Sequence, residues 1–179
     1  EVAHTGDVLA RFSGDSFAVW CGHHADVDQA TAYADELRAA ISRPIEVGGG
    51  LRSDEDIRRL LDCGVDRAIL GTRAITDRDS VARLAATCGS QIAVGIDARG
   101  WVETTQVDAF ELGRDLAALG VRTLIYTDTA VDGMLRGVNA AGVARMCASA
   151  DCSIVASGGI ASLADIEALR ALRQPRLVG

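Results

Sequence analysis

From residue 44 onward, short apolar runs alternate with stretches whose apolar residues recur at helical spacing. Pro44 to Val47 reads as a strand. Ser53 to Cys63 reads as a helix, opened by a capping box of Ser53 and Asp56 and stopped by Gly64. Arg67 to Leu70 is a strand ending at Gly71-Thr72, Asp79 to Cys88 a helix closed by Gly89, and Gln91 to Ile96 a strand ending at Asp97. Ala109 to Leu119 is a helix closed by Gly120, Arg122 to Tyr126 a strand ending at Thr127-Asp128, and Ala140 to Ala150 a helix. Cys152 to Ala156 is a strand ending at Ser157-Gly158-Gly159, Ser162 to Leu172 a capped helix, and Arg176 to Gly179 the start of a further strand. These six strands and five helices predict an α/β fold with a parallel sheet, buried on both faces because the strand runs are continuously apolar. Every polar or glycine cluster falls at the C-terminal end of a strand. Barrels of (βα) units and open doubly wound sheets both place functional loops there, so the pattern does not choose between them.

Residues 1–43 follow another pattern. Leu9 to Phe12 and Phe17 to Trp20 flank Ser13-Gly14-Asp15-Ser16, which predicts a β-hairpin with a tight turn. Asp26 to Ile41 then reads as a helix, with Ala30, Ala34, Leu37 and Ile41 on one face. A hairpin does not belong to a βαβα register, so a junction is expected near Arg43 to Val47, dividing the chain into residues 1–43 and 44–179.

One device occurs twice. Gly48-Gly49-Gly50-Leu51-Arg52-Ser53 with Asp56 and Ile57 aligns without a gap on Ser157-Gly158-Gly159-Ile160-Ala161-Ser162 with Asp165 and Ile166, at an offset of 109 positions. A glycine pair between a strand and a helix N-terminus lets the backbone approach an anion and points free N–H groups at it. Two copies suggest one ligand with a phosphate at each end. Each turn also has a plain reading as a strand-to-helix connection, and Arg52 either pairs with a phosphate or stands solvated on its helix.

Composition narrows the ligand more than the fold. The chain has 179 residues, 49% hydrophobic and only 4% aromatic, so the core is aliphatic. The formal net charge is -7, which excludes a general nucleic-acid or anionic-membrane binder and leaves a phosphorylated small molecule to be held by local N–H groups and a few arginines. Five cysteines, an odd number without paired metal spacing, read as free thiols in a reducing cytoplasm. No apolar run approaches the roughly 20 residues that span a bilayer. No metal and no other cofactor is expected. His4, His23 and His24 read as loop or surface residues.

Residues 44–179 resemble the ProFAR isomerase family of histidine biosynthesis. The resemblance is carried by Val47 to Ser53, Leu70 to Ala74, Val94 to Arg99, Gly100-Trp101-Val102-Glu103-Thr104, Tyr126-Thr127-Asp128 with Asp132-Gly133, and Ala156 to Ile160, all in family order. It implies a (βα) barrel of TIM type built from two repeated halves, of which about six of eight strands are recognisable. It also implies an Amadori rearrangement: an acid opens the ring of an aminoaldose, a base moves the C2 proton, and an aminoketose results. The family uses two aspartates, at the tops of the first and fifth strands, and the fifth-strand aspartate is Asp97 here. Thr127 and Asp128 match positions that line the same site. Gly49, Gly50, Gly71 and Thr72 match one phosphate site, and Gly158, Gly159 and Gly179 the other. A general acid working near neutral pH gains from burial or a neighbouring carboxylate, and Asp128 is the candidate neighbour. Trp101 stacks on a ligand ring or packs on the barrel rim.

The chain also departs from that family. Residues 1–43 hold no counterpart of its first two strands or first aspartate, and Ala98-Arg99 leads directly into Gly100-Trp101 where relatives carry a covering β-hairpin. Residues 6–46 are instead similar to the middle of a GGDEF (diguanylate cyclase) domain through Gly6 to Val19, with Ser13 and Ser16 in place of a signature glycine and glutamate. Cyclase activity is not expected from so altered a signature. Two function classes result: a histidine-biosynthesis isomerase, and a module that keeps phosphate sites without turnover. A degenerate GGDEF nucleotide sensor is a third. An open-edged sheet further suggests a homodimer that closes it.

Overall fold

Local signals near each strand end determine where the elements of this chain start and stop. The computed structural model describes residues 8–13, 16–20, 27–40, 42–99, 102–103, 107–131 and 137–179, with the backbone alone described at 8–13, 16–20, 27 and 102–103. Trp101, Asp132, Gly133, Asp15 and the three histidines lie outside the described residues. The chain forms two compact units, Glu1–Ala68 and Ile69–Gly179.

In the first unit, β1 (Val8–Ser13) and β2 (Ser16–Trp20) pair antiparallel, Val8 opposite Trp20 and Arg11 opposite Phe17, with an irregularity between Arg11 and Ser13. The expected hairpin is present. Helix α1 (Val27–Ala40) follows and buries Tyr33 and Ala34. Strand β3 (Glu46–Gly48) leads through Gly49 and Gly50 to α2 (Asp54–Asp62), which buries Ile57 and Leu60 completely. Asp66 ties the start of β4 (Arg67–Leu70) to the segment before β3, its carboxylate accepting the Ile45 N–H at 2.8 Å. Salt bridges from Arg59 to Asp28 and from Arg38 to Asp66 (3.3 Å) link α1 to α2 and to that turn.

The second unit holds the end of β4, a four-residue helix α3 (Arg73–Thr76), α4 (Arg78–Cys88), β5 (Ile92–Arg99), β6 (Val102–Glu103), α5 (Ala109–Ala118), β7 (Thr123–Asp128), α6 (Ala140–Ser149), β8 (Ser153–Ser157) and α7 (Leu163–Ala171). Strands β5, β7 and β8 are parallel neighbours in that order, an α/β array of the (βα)-barrel type. The segment Arg176 to Gly179 runs beside β8: Ile154 N–H donates to Arg176 O at 2.7 Å, Val178 N–H to Ile154 O at 2.9 Å and Ala156 N–H to Gly179 O at 2.6 Å. Helix starts obey their caps. Asp77, Asp108 and Asn139 cap α4, α5 and α6 by accepting N–H groups of the first turn at 2.9–3.0 Å.

Two expectations change. The strand containing Asp97 does not stop there; it continues to Arg99 and turns back into β6, Ala98 opposite Glu103 and Arg99 opposite Val102. The alternation simply persists, Ala98 buried and Arg99 exposed, so the ladder gains two more residues. Nor are the strands equally buried on both faces. Val94, Ile96, Leu124, Tyr126, Ile154 and Ala156 are at most 3% exposed, whereas Gly95, Ile125 and Val155, which alternate with them, are half-buried. Helices α4, α5 and α6 pack against these strands, α5 and α6 meeting the first face at Leu124 and Tyr126. Gly113 lets α5 approach α6 closely, since a Cβ there would lie 2.6 Å from Met146 Sδ.

Candidate active site

The half-buried face carries a row of polar groups. Register places Asp97 of β5 beside Thr127 of β7, and Thr127 beside Ser157 of β8. Registered residues on parallel strands point to the same face, and neighbouring strands lie about 4.8 Å apart. Asp97, Thr127 and Ser157 therefore form one polar line across three strand ends, with the carboxylate exposed and both hydroxyl residues half-buried. Ser157 was not among the residues singled out from sequence. Its signal was available, because positions 97, 127 and 157 recur at the same interval and each closes an apolar run.

Asp128 faces the other way. It is registered with Ala98, not with Asp97, and is 6% exposed on the helix-covered face. Its carboxylate accepts the Ala130 N–H at 2.9 Å and the Asn139 side-chain N–H at 2.6 Å. Strand alternation thus separates two aspartyl groups that sequence reading had set side by side. On the same face burial, aided by Asp128, pushes the Tyr126 hydroxyl up to about 12, so it stays protonated.

The row ends at a glycine turn. Gly158 and Gly159 follow Ser157 with φ of +84° and +76°, a left-handed conformation that glycine adopts without steric cost. Ser162 opens α7 as a reciprocal cap: Asp165 N–H donates to Ser162 Oγ, and the Asp165 carboxylate accepts from Ala161 N–H at 3.0 Å and Ser162 N–H at 2.8 Å. These contacts, that from the Ser162 hydroxyl foremost, hold the Asp165 carboxyl below its usual range. Gly179 lies alongside, its carbonyl bonded to Ala156 N–H and the position of its missing Cβ 3.6 Å from Val155. Gly71 and Thr72, at the end of β4, are exposed; Gly71 O accepts the Ala74 N–H at 2.8 Å as the chain enters α3.

The first unit contains the other copy. Gly49 and Gly50 have φ of +99° and +68°, and Ser53 and Asp56 form the same reciprocal cap, Ser53 N–H donating to Asp56 at 3.0 Å and Asp56 N–H to Ser53 at 3.1 Å. The Ser53 hydroxyl is likewise the first cause that lowers the Asp56 carboxyl. The copies differ in charge and cover. Asp54, Glu55 and Asp56 all stand in the first turn of α2, whereas α7 has Asp165 alone in that turn. Three carboxylates oppose an anion at the helix N-terminus; the exposed Arg52 stands beside them, and Arg59 partly offsets Asp56 and Glu55. Space is open around Gly49 and Gly50, while Gly159 is buried under Val131 and Gly137.

At the opposite ends of β7 and β8 lies an open concavity of about 490 Å³, lined by Val121, Arg122, Cys152 and Arg176. One of its two arginines is committed: Arg176 pairs with Asp151 at 2.6 Å. Burial, with Asp151 nearby, pushes the Cys152 thiol up to about 11, which makes it a poor nucleophile. Among the described residues no three His, Cys, Asp or Glu side chains are placed to hold a metal ion, and no helix is long and apolar enough to cross a membrane.

The model of a family described as histidine biosynthesis protein matches residues 21–177. The chain is 37% identical over 187 aligned residues to the 1-(5-phosphoribosyl)-5-((5-phosphoribosylamino)methylideneamino) imidazole-4-carboxamide isomerase of Bacillus velezensis, covering 97% of this chain and 76% of that protein. The protein of the same name from Picosynechococcus sp. is 44% identical over 144 residues, 76% of this chain and 56% of that protein. The one from Bacillus subtilis is 40% identical over 141 residues, 75% of this chain and 58% of that protein.

Proposed function

The chain belongs to the histidine biosynthesis protein family, and from that premise we propose that it is an aldose–ketose isomerase acting on a doubly phosphorylated ribosyl aminoimidazole carboxamide. The observation that carries this reading is the registered line of Asp97, Thr127 and Ser157, which runs into the left-handed Gly158-Gly159 turn at the N-terminus of α7. It offers a proton-transfer group, two hydroxyls and a backbone suited to an anion, all on one face of one unit.

In this reading the Gly158-Gly159 turn takes a phosphate. The capping box already uses the N–H groups of Ala161, Ser162 and Asp165, so the anion must bind the remaining amides of the turn. Gly179 lets its segment lie close to the same end of β8. Thr127 and Ser157 hydrogen-bond the sugar, and Asp97 moves a proton between its carboxylate and the substrate in the Amadori rearrangement. Gly49 and Gly50, assisted by Arg52, are proposed as a phosphate contact on their own backbone geometry, and Gly71 and Thr72 likewise. Trp101 is proposed as a ligand-stacking group. Asp128 acts through its neighbours rather than on the substrate. A cytoplasmic setting and a homodimer accord with the same reading. The antiparallel β1–β2 pair followed by α1 supports a GGDEF-like hairpin–helix piece at residues 1–43, without cyclase activity.

The test is Asp97→Asn. Turnover of the aminoaldose should fall by a factor of about 10² to 10⁴ while affinity for a bisphosphorylated ligand stays within about twofold. Equal turnover in the variant removes Asp97 from the chemistry. A wild-type chain that binds the ligand but never converts it supports instead the second class, phosphate binding without catalysis.

A further inference from the structure

We infer that Asn139 is a positioning residue: it ties the end of β7 to the first turn of α6 and so holds Thr127 in line with Asp97. The functional half of this inference rests on the isomerase reading above; the geometric half does not.

Asp128 directly follows Thr127 and is buried, so its charge needs partners. One oxygen takes the Ala130 N–H at 2.9 Å, and the other takes Asn139 Nδ2 at 2.6 Å. The Asn139 amide is used at both ends, because its Oδ1 accepts the Gly142 N–H at 3.0 Å and caps α6. This double use also fixes which end of the amide is nitrogen. The capped turn is pressed against β7: a Cβ at Gly142 would lie 2.9 Å from the Tyr126 hydroxyl, which is buried without a hydrogen-bond partner among the described residues. One residue beyond Asp128, Thr129 grips β5 with both its N–H (2.9 Å) and its hydroxyl (3.1 Å) on Ala98 O. Thr127 is therefore set by two restraints, one toward α6 and one toward β5. Because Thr127 and Asp128 share one stretch of backbone, a backbone shift at Asp128 carries Thr127 with it.

The same short segment reaches the phosphate turn. Val138 N–H, one residue before Asn139, donates to Asp165 Oδ1 at 3.2 Å. Asp165 completes the capping box of α7 with Ser162, just beyond Gly158 and Gly159. In the other copy the equivalent Asp56 receives Arg52 and Ser53 N–H groups from its own turn. Residues 137–139 thus connect the polar row to the anion turn through two carboxylates, and Asn139 is the link whose side chain makes the join.

The experiment compares Asn139→Ala, Asn139→Asp, Asp128→Asn and the swap Asp128→Asn with Asn139→Asp. Asn139→Asp keeps a helix cap but sets two carboxylates against each other. The swap rebuilds the bond with donor and acceptor exchanged. Each single variant should lower kcat on the order of 10²-fold, as a misplaced reacting group does, with KM changed far less, and the swap should restore most of kcat. Asp108→Ala, which removes the cap of α5, is the control: it should lower the denaturation midpoint and leave kcat alone. Wild-type kcat in Asn139→Ala, or a swap no better than its parents, overturns the inference. If Asn139→Ala does not fold, Asn139→Asp carries the same comparison. Amide hydrogen exchange provides a readout without turnover: faster at Ala130 in the single variants and at Gly142 in Asn139→Ala, protected again in the swap. Unchanged protection in the single variants also overturns the inference. A wild-type chain with no turnover sinks the isomerase reading alone, and the exchange rates then decide whether the clamp exists.

Discussion

Replacing Gly159 by alanine tests whether the loops around the second glycine turn are packed as tightly as described. Two costs add. With φ at +76°, an L-residue is strained by about 1–2 kcal/mol. Its Cβ would also stand 2.5 Å from Gly137 O and 2.8 Å from Val131 Cγ2. A backbone carbonyl cannot rotate aside as a side chain can, and the next residue, Val138, is bonded to Asp165. Overpacking of that kind costs about 1–3 kcal/mol more. Gly120, in the same unit, isolates the first cost. Its φ is +97°, yet its Cβ would meet only Ala85 Cβ at 3.7 Å, an ordinary contact. Gly159→Ala should therefore be less stable than Gly120→Ala by about 1–3 kcal/mol. With a urea slope of about 1–3 kcal/mol per M, the midpoints should differ on the order of 1 M. Urea melts followed by far-UV circular dichroism measure the difference. Coincident midpoints would refute the reasoning, because they would mean that Gly137 moves away at no cost.

Gly113→Ala offers the contrasting case. Its Cβ meets Met146 Sδ at 2.6 Å, nearly as close, but a flexible thioether can turn away, so the loss should stay below about 1.5 kcal/mol in the same melts. Acid should act through Asp56 and Asp165. Both carboxyls are lowered in the folded chain from an ordinary 3.8, so their stabilisation is complete above that value and is lost as pH falls through the lower folded one. Asp165→Asn should flatten this acid arm in melts taken between about pH 5 and 3; an unchanged arm would remove Asp165 as a contributor. Cys152, with its thiol near 11, should have a thiolate fraction on the order of 10⁻³ to 10⁻⁴ at neutral pH. Mass spectrometry should then find it alkylated at least about 100-fold faster after unfolding, and equal rates would contradict its burial.

How much of this was legible depends on whether the cause is local. Both capping boxes follow from a serine and an aspartate three residues apart, and the repeat at offset 109 reappears as matching positive φ at both glycine pairs. The β-hairpin before residue 21 could be read from the alternation around its turn, and the family match begins at residue 21, ahead of the expected junction. Non-local features were harder. Ala98 and Arg99 looked like a loop because it takes distant partners, Asp128 of β7 for Ala98 and β6 for both, to make them strand. Helix α3, at four residues, is too short to show a period. Ser157 was passed over since a serine before two glycines looks like part of the turn, and only lateral register sets it beside Thr127. Asp97 and Asp128 were paired because both sit at strand ends, although one step along a strand reverses the direction of a side chain.

The duplicated cap has a practical consequence. Nature has installed the same aspartate twice in one polypeptide, once accepting N–H groups of its own turn and once also holding a neighbouring loop. Asp56 is thus an internal control for Asp165, made in the same cell and melted in the same tube. The gap between twin substitutions reports what the surroundings add to a motif that the chain itself keeps constant.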